Sequence, residues 1–228
     1  MTPLANEFTV DNYKKIIIEA LANDYKFLTL AQYVEQKEKN QKVFLLRHDL
    51  DLKAPSLAPM LEVERECGVR STVFVRTMTD EYNLYGYKVF PILKKAQEDG
   101  FEIGLHTSFI ELSKILKIEP DEALSIELSS IRAYFDVSGI APHRDVNYMY
   151  NSLPALEKNW PQIKNKYQLK YQAYDEHLFM DNLTYLNEGP NPHLAWRNGA
   201  PQHHILQGVS IYMLTHSHWW YQEHPFEH

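Results

Sequence analysis

From residue 43 to residue 135 the sequence alternates short runs that are apolar on every side with longer segments of helical periodicity. Few architectures accept that pattern. "VFLL" (Val43–Leu46), "STVFV" (Ser71–Val75) and the run within "FEIGLH" (101–106) are too short for amphipathic helices. A strand apolar on both faces must be covered on both, which is the situation of a parallel sheet flanked by helices. Segments 56–66, 90–100 and 120–135 supply the helices. The first stops before Gly68, the second ends at Gly100, and the third opens on Pro120 with acids beside it. Strand–helix alternation with short connections therefore predicts an α/β fold. Further strands are expected at Ile140–Pro142, Tyr171–Tyr174, Thr184–Leu186 and Val209–Leu214, which makes seven and favours a barrel over a small doubly wound sheet. Two helices, 11–22 and 29–38, precede the first strand, with Asp11 and Thr29 as N-caps. The pattern is weakest over 145–205, a region rich in Asn, Pro and Tyr.

Composition excludes several classes of function. A net charge of −7 with no Lys/Arg stripe argues against a nucleic-acid binder. No apolar run approaches the roughly 18 to 20 residues of a membrane span. The N-terminal "MTPLANEFTV" has neither the basic head nor the apolar run of a signal peptide. Cys67 is the single cysteine, so no disulfide framework is expected and a cytoplasmic location is the economical reading. With no linker, repeat or low-complexity tract, residues 1–228 read as one domain, a helical extension over 1–40 and a barrel over 43–220. Oligomeric state leaves no mark on the sequence.

In α/β barrels the functional site lies at the C-terminal ends of the strands. Here the residues that follow the strands are polar and reactive. Arg47, His48, Asp49 and Asp51 follow "VFLL"; Arg76 follows "STVFV"; His106 closes "FEIGLH". His143, Arg144 and Asp145 follow "IAP"; His216, His218, Trp219 and Trp220 follow the last strand. Taken singly, each has a plain explanation: a histidine is more often a surface or structural group, and Asp51 before Pro55 could form a turn. Five strand ends of seven carrying His, Asp or Arg is a different matter, because imidazoles and a carboxylate converging on one face are what a zinc-type divalent cation needs. In an extended segment residues i and i+2 face the same way, so Asp49 and Asp51 share a side. One can bind a metal while the other takes a proton from water that the metal has acidified.

The segments "RHDLD", "EIGLH", the His143–Arg144 pair and "LTHSHWW" occur in the order of the motifs of the polysaccharide deacetylase family, the NodB-homology group of carbohydrate esterases, which residues 43–220 resemble. More narrowly, they resemble a divergent branch linked to bacterial surface-polysaccharide and O-antigen biosynthesis. The resemblance implies a distorted seven-stranded (β/α) barrel and metal-dependent removal of N-acetyl groups from sugars or sugar nucleotides. It implies Asp49 as base, Asp51 and His106 as metal ligands, and His216 as the acid that protonates the departing amine. An arginine should orient the base; Arg144 is the nearest match, with Arg47 the alternative. The family's second motif usually holds two histidines four apart, whereas Ile110 stands at the second of these positions. His143 is the expected third ligand, with His48 as the alternative. Zinc is the first expectation for the metal, with Co, Mn, Ni or Fe behind it. Arg76 and Asn83 are expected to grip a uronate, phosphate or hydroxyl of the substrate, and Trp219 to stack on a sugar.

Three other readings use the same residues. An Asp–x–Asp glycosyltransferase should carry a nucleotide-binding half before the motif, and here only two helices precede it. A haloacid-dehalogenase phosphatase wants Thr or Val where Lys53 stands and leaves His106, His143 and His216 unexplained. A non-catalytic relative that binds sugar or metal is the reading that Ile110 keeps open.

Overall fold

The computed structural model describes residues 7–36, 41–144, 150–180, 183–188 and 195–221. In chain order the helices are α1 (Val10–Ala22), α2 (Leu30–Glu35), α3 (Leu57–Glu66), α4 (Phe90–Glu98), α5 (Phe109–Leu116), α6 (Pro120–Arg132), α7 (Leu153–Tyr167) and α8 (Pro201–Gln207). The strands are β1 (Lys26–Leu28), β2 (Val43–Leu50), β3 (Thr72–Val75), β4 (Glu102–Thr107), β5 (Gly139–Pro142), β6 (Tyr171–Gln172), β7 (Thr184–Glu188), β8 (Trp196–Arg197) and β9 (Ile211–Thr215). A single mixed sheet has the order β6-β5-β4-β3-β2-β9-β7-β8, and β1 pairs β2 beside that path. All pairs are parallel except β7 with β8.

The expected seven-stranded barrel is thus a nine-stranded curled sheet with helices around it. Its row from β6 to β7 contains seven parallel strands, and β1 and β8 are additions to that row. β1 lies between the two helices expected at 11–22 and 29–38. It pairs with Val43–Leu45, after which β3 takes over the same edge of β2 at Arg47–Leu50. The tail of the expected helix 29–38 runs into residues outside those described.

Strand parity separates the interior of the curl from its outside. Along β2, Val43 and Leu45 join an inner cluster with Phe74, Tyr171, Phe179 and Tyr212, while Phe44, Leu46 and Leu50 join two outer cores against the helices. β6 and β9 stand five steps apart in the sheet, roughly 24 Å if it were flat. Yet the Tyr212 hydroxyl donates to the Ala173 carbonyl at 3.0 Å, so the sheet curls almost to a ring. Phe179, from a π-helical turn at Glu176–Met180, packs between Tyr171 and Tyr212. α2 adds Leu30 and Tyr33 to the inner cluster. Its start is fixed by a capping box of Thr29 and Gln32 and by Glu102, which accepts from the Ala31 amide at 2.9 Å. α1 is capped by Thr9 rather than by Asp11, which lies in its first turn.

The curl also depends on small inward residues. A Cβ built on Gly139 would stand 2.1 Å from Tyr171 Cζ, and one on Gly104 would stand 2.4 Å from Phe74 Cε1. Neither ring can retreat, since both are buried in the inner cluster. Gly139→Ala is therefore expected to cost about 1–3 kcal/mol of stability by overpacking. Urea unfolding checks this; an unchanged midpoint would mean that the ring has room to move.

Candidate active site

Because the strands run parallel, Leu50, Val75, Thr107, Pro142, Glu188 and Thr215 end at one rim of the sheet. The residues there line a cavity of about 470 Å³ that includes Asp49, Asp51, His106, His143, His216 and Glu188. Arg76, Arg144 and Trp219 line it as well. The strand ends brought together in the sequence reading do meet.

Of the alternatives that the sequence left open, the structure pairs Arg47 rather than Arg144 with Asp49 and turns His48 away, and it sets Asn83 apart from this cavity. Asn83 is exposed and does not line this cavity but an adjoining one that it shares with Arg76; its Oδ1 accepts from the Tyr85 amide at 3.0 Å in a local turn. His48 points to the outer face, where Nδ1 is 2.6 Å from Thr215 Oγ1 and Nε2 2.7 Å from Glu64 Oε1. Tyr13 donates to the same Glu64 oxygen at 2.8 Å, so the imidazole is committed behind the strand and cannot reach the cavity. The arginine on Asp49 is Arg47, not Arg144, whose exposed side chain stands at the mouth. Asp145 lies outside the described residues.

The Arg47–Asp49 pair follows from β2 itself. Residues i and i+2 share the inner face, so the guanidinium meets the carboxylate as a fork. Nε donates to Oδ1 at 2.7 Å and Nη2 to Oδ2 at 2.6 Å. The remaining donor Nη1 reaches the Tyr212 hydroxyl at 3.0 Å. Tyr174 and Phe74 lie 4.5 and 5.2 Å from the guanidinium carbon, so the cation also faces two aromatic rings. Both charges are buried, at 0 and 2 % exposure. Burial alone would push the Asp49 carboxyl up, but the Arg47 guanidinium, helped by His106 and His216, holds it below the usual carboxylate range.

Asp51, His106 and His143 each offer one ligand atom, and these atoms lie within 4.8 Å of one another. Asp51 Oδ1 is 3.2 Å from His106 Nε2 and 3.9 Å from His143 Nε2. Tetrahedral ligands of a zinc-like ion stand about 3.3 Å apart, given bonds of about 2.0–2.2 Å. Two observations say that a cation fits. Asp51 Oδ1 is buried and makes no hydrogen bond. His106 Nδ1 sits 2.9 Å from the Ala141 carbonyl, an acceptor, so in the neutral ring that nitrogen carries the proton and Nε2 presents a lone pair to Asp51. A lone pair facing a carboxylate oxygen is repulsive unless a positive charge lies between them. Burial opposes the charge on Asp51; positive charge facing it, on protonated His106, His216 and His143 rings when no metal is there, holds its carboxyl far below the ordinary range. Ile110, on α5, packs against the outer core, so its position in the chain offers no ligand.

His216 lies opposite this triad. Its Nε2 is 3.7 Å from Asp51 Oδ2, and its Nδ1 is 3.6 Å from Glu188 Oε2. Glu188 also accepts from the His216 amide at 2.5 Å and from Trp220 Nε1 at 3.3 Å through its other oxygen. Burial would lower the His216 pKa; Glu188, Asp51 and Asp49 outweigh it and raise the ring to about 9. His218, two residues on, is pushed down to about 4 by burial and by the charge on His216, and it packs on Trp219 with ring centroids 4.5 Å apart. Behind His106, the buried Glu127 accepts from Thr107 Oγ1 at 2.5 Å and from the Ser108 amide at 3.1 Å, which fixes the turn that leaves β4.

No protein-family model matches the sequence, and no curated protein does. The structure is similar to that of the Streptococcus pyogenes deacetylase PplD in complex with acetate, with a TM-score of 0.53 over 92 % of this chain and 93 % of that one. The fold is of the deacetylase type. At 17 % identity the likeness speaks to the arrangement of strands and helices alone. No helix among the described residues is long and apolar enough to cross a membrane.

Proposed function

We propose that the chain is a metal-dependent hydrolase, one domain over residues 1–228, that removes the N-acetyl group from a sugar of a surface polysaccharide such as O-antigen, or from its sugar-nucleotide precursor. One observation carries the reading: a carboxylate paired with a buried arginine, Asp49, and an imidazole beside a glutamate, His216, flank a two-histidine, one-carboxylate cluster in one cavity. The likeness of fold to PplD, a deacetylase studied with acetate, agrees with it. The lone Cys67 suits a cytoplasmic setting.

Asp51, His106 and His143 would hold the metal, zinc first, with Co, Mn, Ni or Fe as alternatives. Such an ion supplies Lewis-acid polarisation of the acetamide carbonyl and acidifies water bound to it. Asp49 takes the proton of the attacking water, and Arg47 keeps it ionised and fixes its orientation. His216 gives its Nε2 proton to the amine as the C–N bond breaks, and Glu188, 3.6 Å from Nδ1, keeps the ring charged beforehand. Trp219 would stack on the sugar.

The test is acetate release from N-acetylglucosamine oligosaccharides by purified protein of measured metal content. Activity should disappear on chelation and return with Zn²⁺. Activity untouched by chelation, in protein without metal, would sink the metal centre.

A pH profile probes the acid separately. His216 donates only while protonated, so the rate should fall as pH rises through the pKa of this ring, which a cation on Asp51 would set below the value of about 9 that the ring has without one. With a cation on Asp51, Glu188 is the main carboxylate that keeps His216 charged. Glu188→Gln should then move the alkaline limb down by about 1–2 pH units. A limb that stays in place would mean that another group titrates there.

A further inference from the structure

The proposed reaction accounts for most of the charge in the cavity but leaves two arginines without a carboxylate and a third, Arg76, paired with Glu111 through one nitrogen only. Asp49 is neutralised by Arg47, Glu188 by His216, and Asp51 would be neutralised by the metal. Arg76, Arg144 and Arg197 line the same cavity. Among the described residues, neither Arg144 nor Arg197 has a carboxylate within ion-pair distance, and both side chains are exposed. Arg76 differs from them in depth: it is 8 % exposed, with Nη2 3.3 Å from Glu111 Oε2. Its Nε is buried and has no hydrogen-bond acceptor among the described residues. With Arg76 opposed by Glu111, Glu81 is the carboxylate on the wall that remains to oppose the guanidiniums of Arg144 and Arg197.

Arg76 stands at a junction. It also lines an adjoining cavity of about 620 Å³ between the loop after β3 and α5, where Thr77 Oγ1 is likewise buried without a partner. Its backbone amide is held by the Tyr82 hydroxyl at 2.8 Å, and that hydroxyl donates to the Leu50 carbonyl at 2.8 Å, so the end of β2 and the arginine are tied together. A buried N–H without an acceptor is costly unless a ligand completes it. Guanidinium forks suit the paired oxygens of phosphate and carboxylate. In a chain of net charge −7, the two guanidiniums of Arg144 and Arg197 at one mouth, above the buried Arg76, form a local excess of positive charge.

We propose that the substrate is anionic: its N-acetylated sugar carries a phosphate or carboxylate group that Arg76 holds at depth and that Arg144 and Arg197 gather at the rim. As a statement about substrate the inference rests on the deacetylase reading, but its test is one of binding. Calorimetric titration of the metal-loaded full chain at low salt would compare four probes. These are N-acetylglucosamine, N-acetylglucosamine 1-phosphate, UDP-N-acetylglucosamine and a hyaluronan tetrasaccharide, which pairs N-acetylglucosamine with a uronate. At least one anionic probe should bind about tenfold tighter than the neutral sugar, and added salt should weaken it. Phosphate probes and the uronate probe then tell the two sources apart. The gain should vanish in the Arg144→Ala/Arg197→Ala double variant, whose substitutions are at exposed positions and spare the fold, and in Arg76→Gln. Arginine-dependent binding without acetate release supports the anion site while sinking the deacetylase reading. Equal affinity for neutral and anionic probes, or a gain that survives loss of all three arginines, overturns the proposal.

Discussion

Asp49→Asn is expected to lower acetate release by about 10²–10⁴-fold, the range over which a positioned general base acts. The substitution keeps the shape of the side chain and leaves Asp51, His106 and His143 untouched, so metal content should stay at its wild-type value. It does not leave the fold untouched. Both carboxylate oxygens of Asp49 accept from Arg47, and an amide can offer an acceptor to only one of those donors. The other N–H would face a second N–H, in a pair buried to 2 % exposure or less. Stability should therefore fall alongside activity, and thermal unfolding must accompany the assay so that rate is measured on folded protein. A variant that retains full metal and a folded core yet releases acetate as fast as the wild type would remove Asp49 from the chemistry. His216→Ala tests the other half of the reaction. It should slow turnover least with substrates whose leaving amine needs no proton, which a base variant would not show.

How far the site could be read in advance depended on which physical rule was applied, and how consistently. The period of two along an extended chain put Asp49 and Asp51 on one face, and the same rule places Arg47 with them. The resemblance pointed to Arg144 instead, and that motif position turned out to be the exposed rim. The same parity turns His48 outward to Glu64 and leaves the third-ligand position to His143. Glu188 was missed because the strand ends were searched for His, Asp and Arg; "TYLNE" ends in a glutamate, and a census including Glu would have found it. The short β1 could not be seen at all. Three residues, "KFL", carry no periodicity, and they are a strand only because β2 offers them an edge. α7 was hidden by Pro161 inside it, a residue that ordinarily argues against a helix interior. Asn83, a polar residue near a strand end, serves its own turn and lines the adjoining cavity with Arg76 rather than the one that holds Asp49. Local rules located what the backbone dictates; pairings between distant segments, such as Tyr212 with Ala173, decide how the sheet curls and have no local signature.

Arg47→Met is expected to destabilise the protein more than any exposed substitution, and its double variant shows why the pair exists. Methionine fills much of the volume between Phe74 and Tyr174 but leaves the Asp49 carboxylate buried without its cation. Breaking a buried pair in this way costs about 3–5 kcal/mol. For a chain of this size that is a fall in melting temperature of roughly 10 °C. Arg47→Met/Asp49→Leu removes both charges, and replacing a whole buried pair by apolar groups is commonly neutral or stabilising. The double variant should recover most of the lost stability while staying inactive. The pH dependence carries the same information with a definite sign. In the wild type the folded-state pKa of Asp49 is depressed, so its contribution to stability is full above the unfolded carboxylate value and is lost as pH falls through the folded one. Without Arg47, burial raises that pKa instead, so stability is greatest in acid and declines as pH rises. The gap between wild type and Arg47→Met should therefore narrow from pH 7 toward pH 4, measured by denaturant unfolding. A double variant as unstable as the single one would mean that the guanidinium is kept for its packing against the two rings. Recovery without activity would mean that the strand carries a charged pair in its core for the reaction, at no benefit to the fold.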